Sequence, residues 1–323
     1  MQQLEKNNLT MVDFFCGAGI GAVGFKQAGF EIIDALDNKE YAVKTYNKNI
    51  GAHARIADVR RMSIHDVSYA DVYVGGFPCT PFSFGGRGDG IKNKTNGDLG
   101  YHFYRLVRDK QPKAFIVENV KGLLSQKHRA FFEELLNNFR SAGYSVSWKL
   151  INCYEYGVPQ LRERVFIVGI REDLGLTYKF PEPVPESERK VLRDAIGDLM
   201  NDSSVSNHDR YYDGGFSPRY LSRNRQKQWD EPSFTIVASD RQLPLHPEPP
   251  NYDIRRMSEY KIAPPRRFTV RECLRIQTVP DWFEFSDEIP LTKQYERCSG
   301  IPSLVAYKLG SALASQLCEA ACA

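Results

Sequence analysis

The sequence predicts an α/β fold, a mostly parallel sheet covered by helices, with a smaller irregular domain alongside it. Three observations predict this. Over about the first 170 residues, short β-favouring runs alternate with stretches of helical apolar spacing. The first strand-to-helix turn is rich in glycine, as in nucleoside-binding α/β folds. After Ile170 the alternation stops, and the Pro- and charge-rich stretch YKFPEPVPESERK opens a region of short segments, aromatics and turn residues.

The elements follow in order. TMVDFFC is apolar and β-favouring. GIGAVGFKQAG is a glycine turn entering a helix that Gly29 can end. EIIDALD reads as a strand, KEYAVKTYNKN as a helix and ADVYVGGF as a strand ending at two glycines. HFYRLVRDKQ is a helix, AFIVENV a strand, and HRAFFEELLNNFRSAG a helix that again ends in glycine. YSVSWKLIN and RVFIVGI are strands. Alternating βα units place helices on both faces of a parallel sheet. PSLVAYKLGSALASQLCEA is apolar at helical spacing and predicts a closing helix. The expected domains are 1–186 with 291–323, and 187–290.

A chain of 323 residues, 42% apolar and 26% charged, has the composition of an ordinary soluble protein. No apolar run approaches the ~20 residues of a membrane span, and MQQLEKNNLT lacks a secretory pattern. A cytoplasmic location is expected. Seven cysteines without a C-x-x-C pair argue against a disulfide framework and against a zinc cluster, so no metal is expected. The net charge of +3 leaves a nucleic-acid partner open. Arg219, Arg223, Arg225 and Lys227 form one basic run without an intervening acid, and residues 255–275 carry a second basic cluster. Such clusters suit phosphates, and equally a solvated face.

The motifs point to chemistry at strand ends. Gly19, Gly21 and Gly24 satisfy G-x-G-x-x-G, and Asp37 closes the second strand 18 residues after Gly19, where a ribose-binding carboxylate belongs. A nicotinamide enzyme and other nucleoside-cofactor enzymes both fit that pattern. Asp58 can accept a bond from an adenine amino group. Cys79, braced by Pro78 and Pro81 at a strand tip, is a candidate nucleophile. Five glycines between residues 85 and 97 suggest a closing flap. Glu118 ends the next strand and can act as an acid. Gln160, Arg162 and Arg164 alternate, which in one strand would put them on one face.

DFFCGAGIG, GGFPCTPFS, VENV, QLRERVFIVG and RRFTVRECLRIQTVPDWF occur in this order, over about residues 11–302. Together they resemble the signature blocks of the DNA (cytosine-5)-methyltransferases of bacterial restriction-modification systems. YLSRNRQKQWDEPSFTIVASDRQLPLHP is similar to the target-recognition region of the subgroup that includes GGCC methylases. The resemblance implies a Rossmann-like S-adenosylmethionine-dependent domain plus a target-recognition domain. It implies that Cys79 adds to cytosine C6, that Glu118 acts at N3, that Arg164 holds O2 and that Arg162 supports the site. Phe15, Gly17, Gly19, Asp37, Asp58, Val59, Pro78, Leu99 and Ser299 would bind the methyl donor, S-adenosylmethionine. Ser83, Arg219, Arg223, Arg225, Lys227 and Arg241 would meet double-stranded DNA, with Arg223, Arg225 and Arg241 as base readers and Arg219 and Lys227 on phosphate.

The target base must leave the stack for this chemistry. A monomer is implied, working alongside a restriction endonuclease without a stable complex. The family usually ends in a Gly-Asn-(Ala/Ser)-Val-Pro block; aligned on Pro302, this chain has Cys298 and Ser299 in place of Gly-Asn. A transfer-RNA methylase is a rival reading, but the Cys-Phe-Thr signature of those enzymes is absent from the recognition region. A weakly active DNA-binding relative is a second rival. An NAD oxidoreductase, resting on the glycine turn alone, is a third.

Overall fold

The computed structural model describes residues 7–77, 98–200 and 210–322. They fall into two compact units. The first comprises Met1–Ile151, Glu163–Glu182 and Ala306–Ala323; the second comprises Asn152–Arg162 and Pro183–Val305.

The first unit is built on β1 (Thr10–Phe14), β2 (Glu31–Asp37), β3 (Ala54–Ile56), β4 (Val72–Gly75), β5 (Ala114–Val120), β6 (Tyr144–Asn152) and β8 (Glu163–Arg171). The short β7 (Gln160–Leu161) precedes β8. The sheet order is β3-β2-β1-β4-β5-β8-β6. β3, β2, β1, β4 and β5 pair in parallel, with Asp13 opposite both Ala35 and Val74. The last four residues of β1, Met11 to Phe14, are buried, as are all four of β4, which marks strands covered on both faces. The predicted fold is therefore present, with two additions. β3 was not legible, since three residues carry no period. β8 runs antiparallel to β5, Ala114 facing Ile170 and Val120 facing Arg164. Residues 153–162 join β6 to β8 without a crossover helix, and a parallel neighbour requires one.

Helices α1 (Ile20–Gln27), α2 (Glu40–Asn49), α3 (Leu99–Lys110) and α4 (Arg129–Ser141) alternate with these strands. Gly29 and Gly143 end α1 and α4 at positive φ, each donating its N–H three residues back. α3 and α4 bury Phe103, Leu106, Leu135 and Phe139 against Phe14, Tyr73 and Phe115. Phe115 and Phe139 stack at 4.1 Å. Gly169 makes room for this pair: a Cβ there would lie 2.1 Å from Phe115 Cε1. α8 (Ser303–Cys322) is the predicted closing helix, and its Gly310 approaches Phe25 and Phe30. Among the described residues no helix is long and apolar enough to cross a membrane.

The second unit contains α5 (Leu192–Ile196), β9 (Ser233–Phe234), α6 (Val270–Ile276) and α7 (Leu291–Arg297), joined by long irregular segments. β7 pairs with β9, Gln160 facing Ser233. Thr269 and Glu272 form a reciprocal capping box at the start of α6. Tyr220, Leu245, Tyr252 and Ile254 make a small core of their own.

Candidate active site

The glycine turn after β1 depends on three positive-φ residues, Phe15 (59°), Gly17 (57°) and Gly19 (93°). Phe15 is the unusual one, since a non-glycine residue in this region holds its backbone under constraint. Gly19 cannot be replaced cheaply: an added Cβ would sit 2.7 Å from Ile50 Cγ1. Asp37, at the tip of β2, holds the turn. Its Oδ2 accepts from Gly17 N at 3.0 Å and its Oδ1 from Lys39 N at 2.9 Å. Glycine backbone and a carboxylate are thus fixed side by side, as a nucleoside ligand requires.

Asp58 lies at the start of a single 3-10 turn, Val59–Arg61. It accepts from Arg60 N at 3.1 Å and pairs with the Arg60 guanidinium at 2.8 Å. That hydrogen bond holds the Asp58 carboxyl below its ordinary range. Val59 and Leu99 have their side chains in the core, so what either gives to a ligand comes from its backbone. Among the described residues no group of three or more His, Cys, Asp or Glu could hold a metal.

The chemistry would sit at the ends of β4, β5 and β8. Glu118 is the fifth residue of β5. Arg164 Nε meets Glu118 Oε1 at 2.9 Å, both side chains being 13% exposed. The antiparallel register explains the pair: Glu118 faces Phe166, and Arg164 lies diagonally across, facing Val120. Gly76, just past β4, also borders Glu118, since a Cβ there would lie 3.7 Å from Glu118 Oε2. The next residue, Phe77, packs edge-on against Phe15 at 6.4 Å. The chain therefore leaves β4 with the glycine turn on one side and the Glu118–Arg164 pair on the other. Pro78, Cys79 and Ser83 follow in sequence and lie outside the described residues, as does the flap expected at 80–97.

Sequence reasoning passed over Asp13, in the middle of β1. Burial, and then the charge of Asp37, push its carboxyl up to about 8. Tyr46, Cys16 and Asp34 share this electrostatic neighbourhood. The signal was available: a carboxylate flanked by apolar residues inside a central strand. The sign of its effect is definite. A folded-state value above the unfolded one means that the native state keeps a proton that the unfolded chain has lost, so stability falls as pH rises from about 4 to about 8 and then levels off. Asp13→Asn removes this slope. Denaturant unfolding at pH 5 and pH 8 should show the variant gaining on the parent by a few kcal/mol (order of magnitude) across that interval.

The alternation of Gln160, Arg162 and Arg164 does not describe one strand face, and here the expectation is corrected. The ladder is interrupted at Arg162, so the three part company. Gln160 and Arg162 belong to the second unit, Arg164 to the first. Gln160 is buried, giving Nε2 to Gln277 Oε1 at 3.1 Å and accepting from Ile236 N at 2.8 Å. Gln277 in turn donates to Cys298 O at 2.9 Å. Arg162 is buried too and donates to Ile236 O at 3.1 Å. Cys298 fills the interior, and Ser299 is half-buried in the turn between α7 and α8.

Comparison with known proteins decides the lineage. The model of the C-5 cytosine-specific DNA methylases matches residues 9–315. The chain belongs to that family. The Type II methyltransferase M.FnuDI of Fusobacterium nucleatum is 40% identical over 297 residues, covering 86% of each chain. M.MthTI of Methanothermobacter thermautotrophicus is 41% identical, over 86% of this chain and 88% of its own. M.NgoPII of Neisseria gonorrhoeae is 34% identical over 96% and 97%. Two solved structures share the fold. A DNA modification methyltransferase encoded in an E. coli prophage has a TM-score of 0.72 at 21% identity, over 96% of this chain and 99% of that one. The S. pombe Dnmt2 methyltransferase has a TM-score of 0.70 at 18% identity, over 95% and 98%.

In this cytosine methylase the two basic clusters of the second unit differ in kind. In the cluster at 255–275, which suits phosphates and a solvated face equally, most of the arginines are paired within the unit. Arg255 pairs with Asp253, Arg256 with Glu259, Arg266 with Glu272, and Arg275 with Asp198 and Asp281. Arg271 is fully buried and donates to Phe283 O at 2.8 Å. Most of these partners lie within six residues; only Asp198 is far from its arginine along the chain. In the other cluster, Arg219, Arg223 and Arg241 are exposed. Arg225 is held: its guanidinium lies 4.6 Å over Tyr220 and donates to Gln242 Oε1 at 3.1 Å. Lys227 pairs with Glu231 at 2.7 Å, an acid just beyond the run.

Proposed function

We propose that this protein methylates C5 of a cytosine within a specific site in double-stranded DNA, using S-adenosylmethionine, and so protects that DNA from a partner restriction endonuclease. The observation that carries the reading is the family match over residues 9–315, with Glu118 and Arg164 paired beside the exit of β4. The glycine turn and Asp37 suit the methyl donor. Phe15, Gly17, Gly19 and Asp37 would hold its nucleoside and methionine parts, with Asp58 and Val59 at the adenine and Pro78, Leu99 and Ser299 as further contacts. When bound, the donor supplies an electrophilic methyl group on a sulfonium.

The protein's own groups make C5 reactive. C5 of cytosine is a poor nucleophile. The Cys79 thiolate forms a bond to C6, and the C5–C6 π electrons shift onto C5 and the N3 side of the ring. Glu118, after taking up a proton from solvent, donates a hydrogen bond or the proton itself to N3 and so stabilises that charge. Arg164 fixes the Glu118 carboxyl through Nε and offers its other N–H groups to the base O2. Arg162 supports the adjoining backbone by holding Ile236 O. After C5 is alkylated, a base removes the C5 proton, the C5–C6 double bond returns and the C6–S bond breaks, freeing Cys79. A stacked base cannot be reached in this way, so the cytosine flips out of the duplex at a cost of a few kcal/mol.

Incubation with duplex DNA, transfer RNA and labelled S-adenosylmethionine, followed by bisulfite sequencing, tests the reading. Label is expected in DNA, at one cytosine of a short repeated site. Label confined to transfer RNA would overturn it, and DNA bound without any label would point to a binding protein.

A further inference from the structure

The second unit contains a buried cation that the reaction does not use. Arg267 is 2% exposed. It donates through Nη1 to Gly214 O at 2.7 Å and through Nη2 to Gly215 O at 3.1 Å, with a longer contact from Nη1 to Tyr212 O at 3.4 Å. Its guanidinium carbon also lies 4.5 Å from the Phe216 ring centre and 5.0 Å from those of Tyr212 and Tyr220. Carbonyls and aromatic faces, rather than a carboxylate, meet the charge. Burial accordingly lowers its affinity for a proton.

A buried cation is an expensive way to fill space among three rings, and an apolar side chain would cost less. What the guanidinium adds is direction. Its planar fork holds the carbonyls of two successive residues, Gly214 and Gly215, together with that of Tyr212, and so fixes the path of the chain from 212 to 216. The surroundings make that path consequential. Arg267 is bridged to Leu245, and Leu245 to Gln226. Tyr220 donates its hydroxyl to Leu243 O at 2.7 Å and carries Arg225 on its ring. Tyr212, Gly215, Phe216 and Ser217 line a concave surface together with Arg241. The exposed Arg219 and Arg223 follow within the next few residues.

We infer that Arg267 is the positioning residue for base recognition: by clamping the 212–216 backbone it sets where Arg223 and Arg241 reach a base pair. The inference rests on the DNA-methylase reading above. Arg267 itself touches no DNA. Its effect on discrimination arises because bidentate base contacts depend on the placement of the side chains that make them.

The test uses the full chain as wild type, Arg267→Met and Arg267→Lys. The preferred duplex is defined by the bisulfite map or, should no methyl be transferred, by selecting bound duplexes from a random pool. Affinity is then measured for that duplex and for versions with one base pair changed, together with the salt slope, S-adenosylmethionine binding and the rate of tryptic cleavage after Arg219 and Arg223. Arg267→Met should lose tenfold or more of the discrimination and be cut faster in the loop, while its salt slope and S-adenosylmethionine binding stay within twofold. Arg267→Lys should recover part of the discrimination. Unchanged discrimination in both variants overturns the inference. So does an equal loss of affinity for every duplex accompanied by lost S-adenosylmethionine binding, which marks a general folding role. If Arg267→Met does not fold, Arg267→Lys decides: retained discrimination overturns the inference, and a selective loss supports it. Discrimination is read by binding, so a wild type that never methylates DNA refutes the proposed function without touching this test.

Discussion

Cys79→Ser should bind DNA normally and transfer methyl groups at least ~10³-fold more slowly, the scale expected when a covalent nucleophile is removed. A hydroxyl keeps the size and polarity of the thiol. It does not become an anion at neutral pH, whereas a thiol with its ordinary value near 8.5 is already partly ionised and is more nucleophilic at equal charge. The loss should therefore appear in kcat, with the affinity for duplex and for S-adenosylmethionine unchanged. A second measurement removes ambiguity. DNA carrying 5-fluorocytosine at the methylated position has no C5 proton to lose, so the adduct formed after methyl transfer cannot break down. Wild type should become covalently attached to it at residue 79, and Cys79→Ser should not. Full activity in the variant, or attachment elsewhere, would refute the addition mechanism.

Much of the fold could be read from the chain because its signals were local. The βα alternation, the glycine turn after β1 and the helix-ending Gly29 and Gly143 each depend on near neighbours. What could not be read was long-range. Nothing in QLRER announces that Gln160 and Arg162 would serve one unit while Arg164 turned to Glu118, because the break at Arg162 comes from pairing with β9 and β5. One residue of the 255–275 cluster shows the same limit. Arg275 finds Asp198, 77 residues away, and composition alone cannot distinguish a paired arginine from a solvated one. Arg267 was invisible as a special residue, since its partners are backbone carbonyls. The residues proposed for the site were named by local motifs, and their contacts are short: Phe15, Gly17 and Gly19 form the turn after β1 that Asp37 holds, and Glu118 meets Arg164.

Glu118→Gln isolates the contribution of the acid at N3. The amide has the same shape, so the strand tip and the neighbouring Gly76 need not move. It still offers Oε1 to Arg164 Nε, although a neutral acceptor makes a weaker bond than the present 2.9 Å ion pair. What it cannot do is hand a full proton to the ring as Cys79 adds. Proton transfer of this kind contributes about 10²–10⁴-fold; because Gln can still donate one N–H bond to N3, the loss in kcat should fall toward the lower end, near 10²-fold, with Glu118→Ala losing more. The proper comparison is exchange of tritium from C5 of the target cytosine without any methyl donor. That exchange needs the thiolate adduct but not the methyl, so it should slow by the same factor as methylation. If exchange proceeds at the wild-type rate while methylation falls, Glu118 acts after the adduct has formed. If neither rate changes by more than about threefold, a limit set well below the smallest effect of a general acid, its pairing with Arg164 is structural and the activation of N3 has to come from another group.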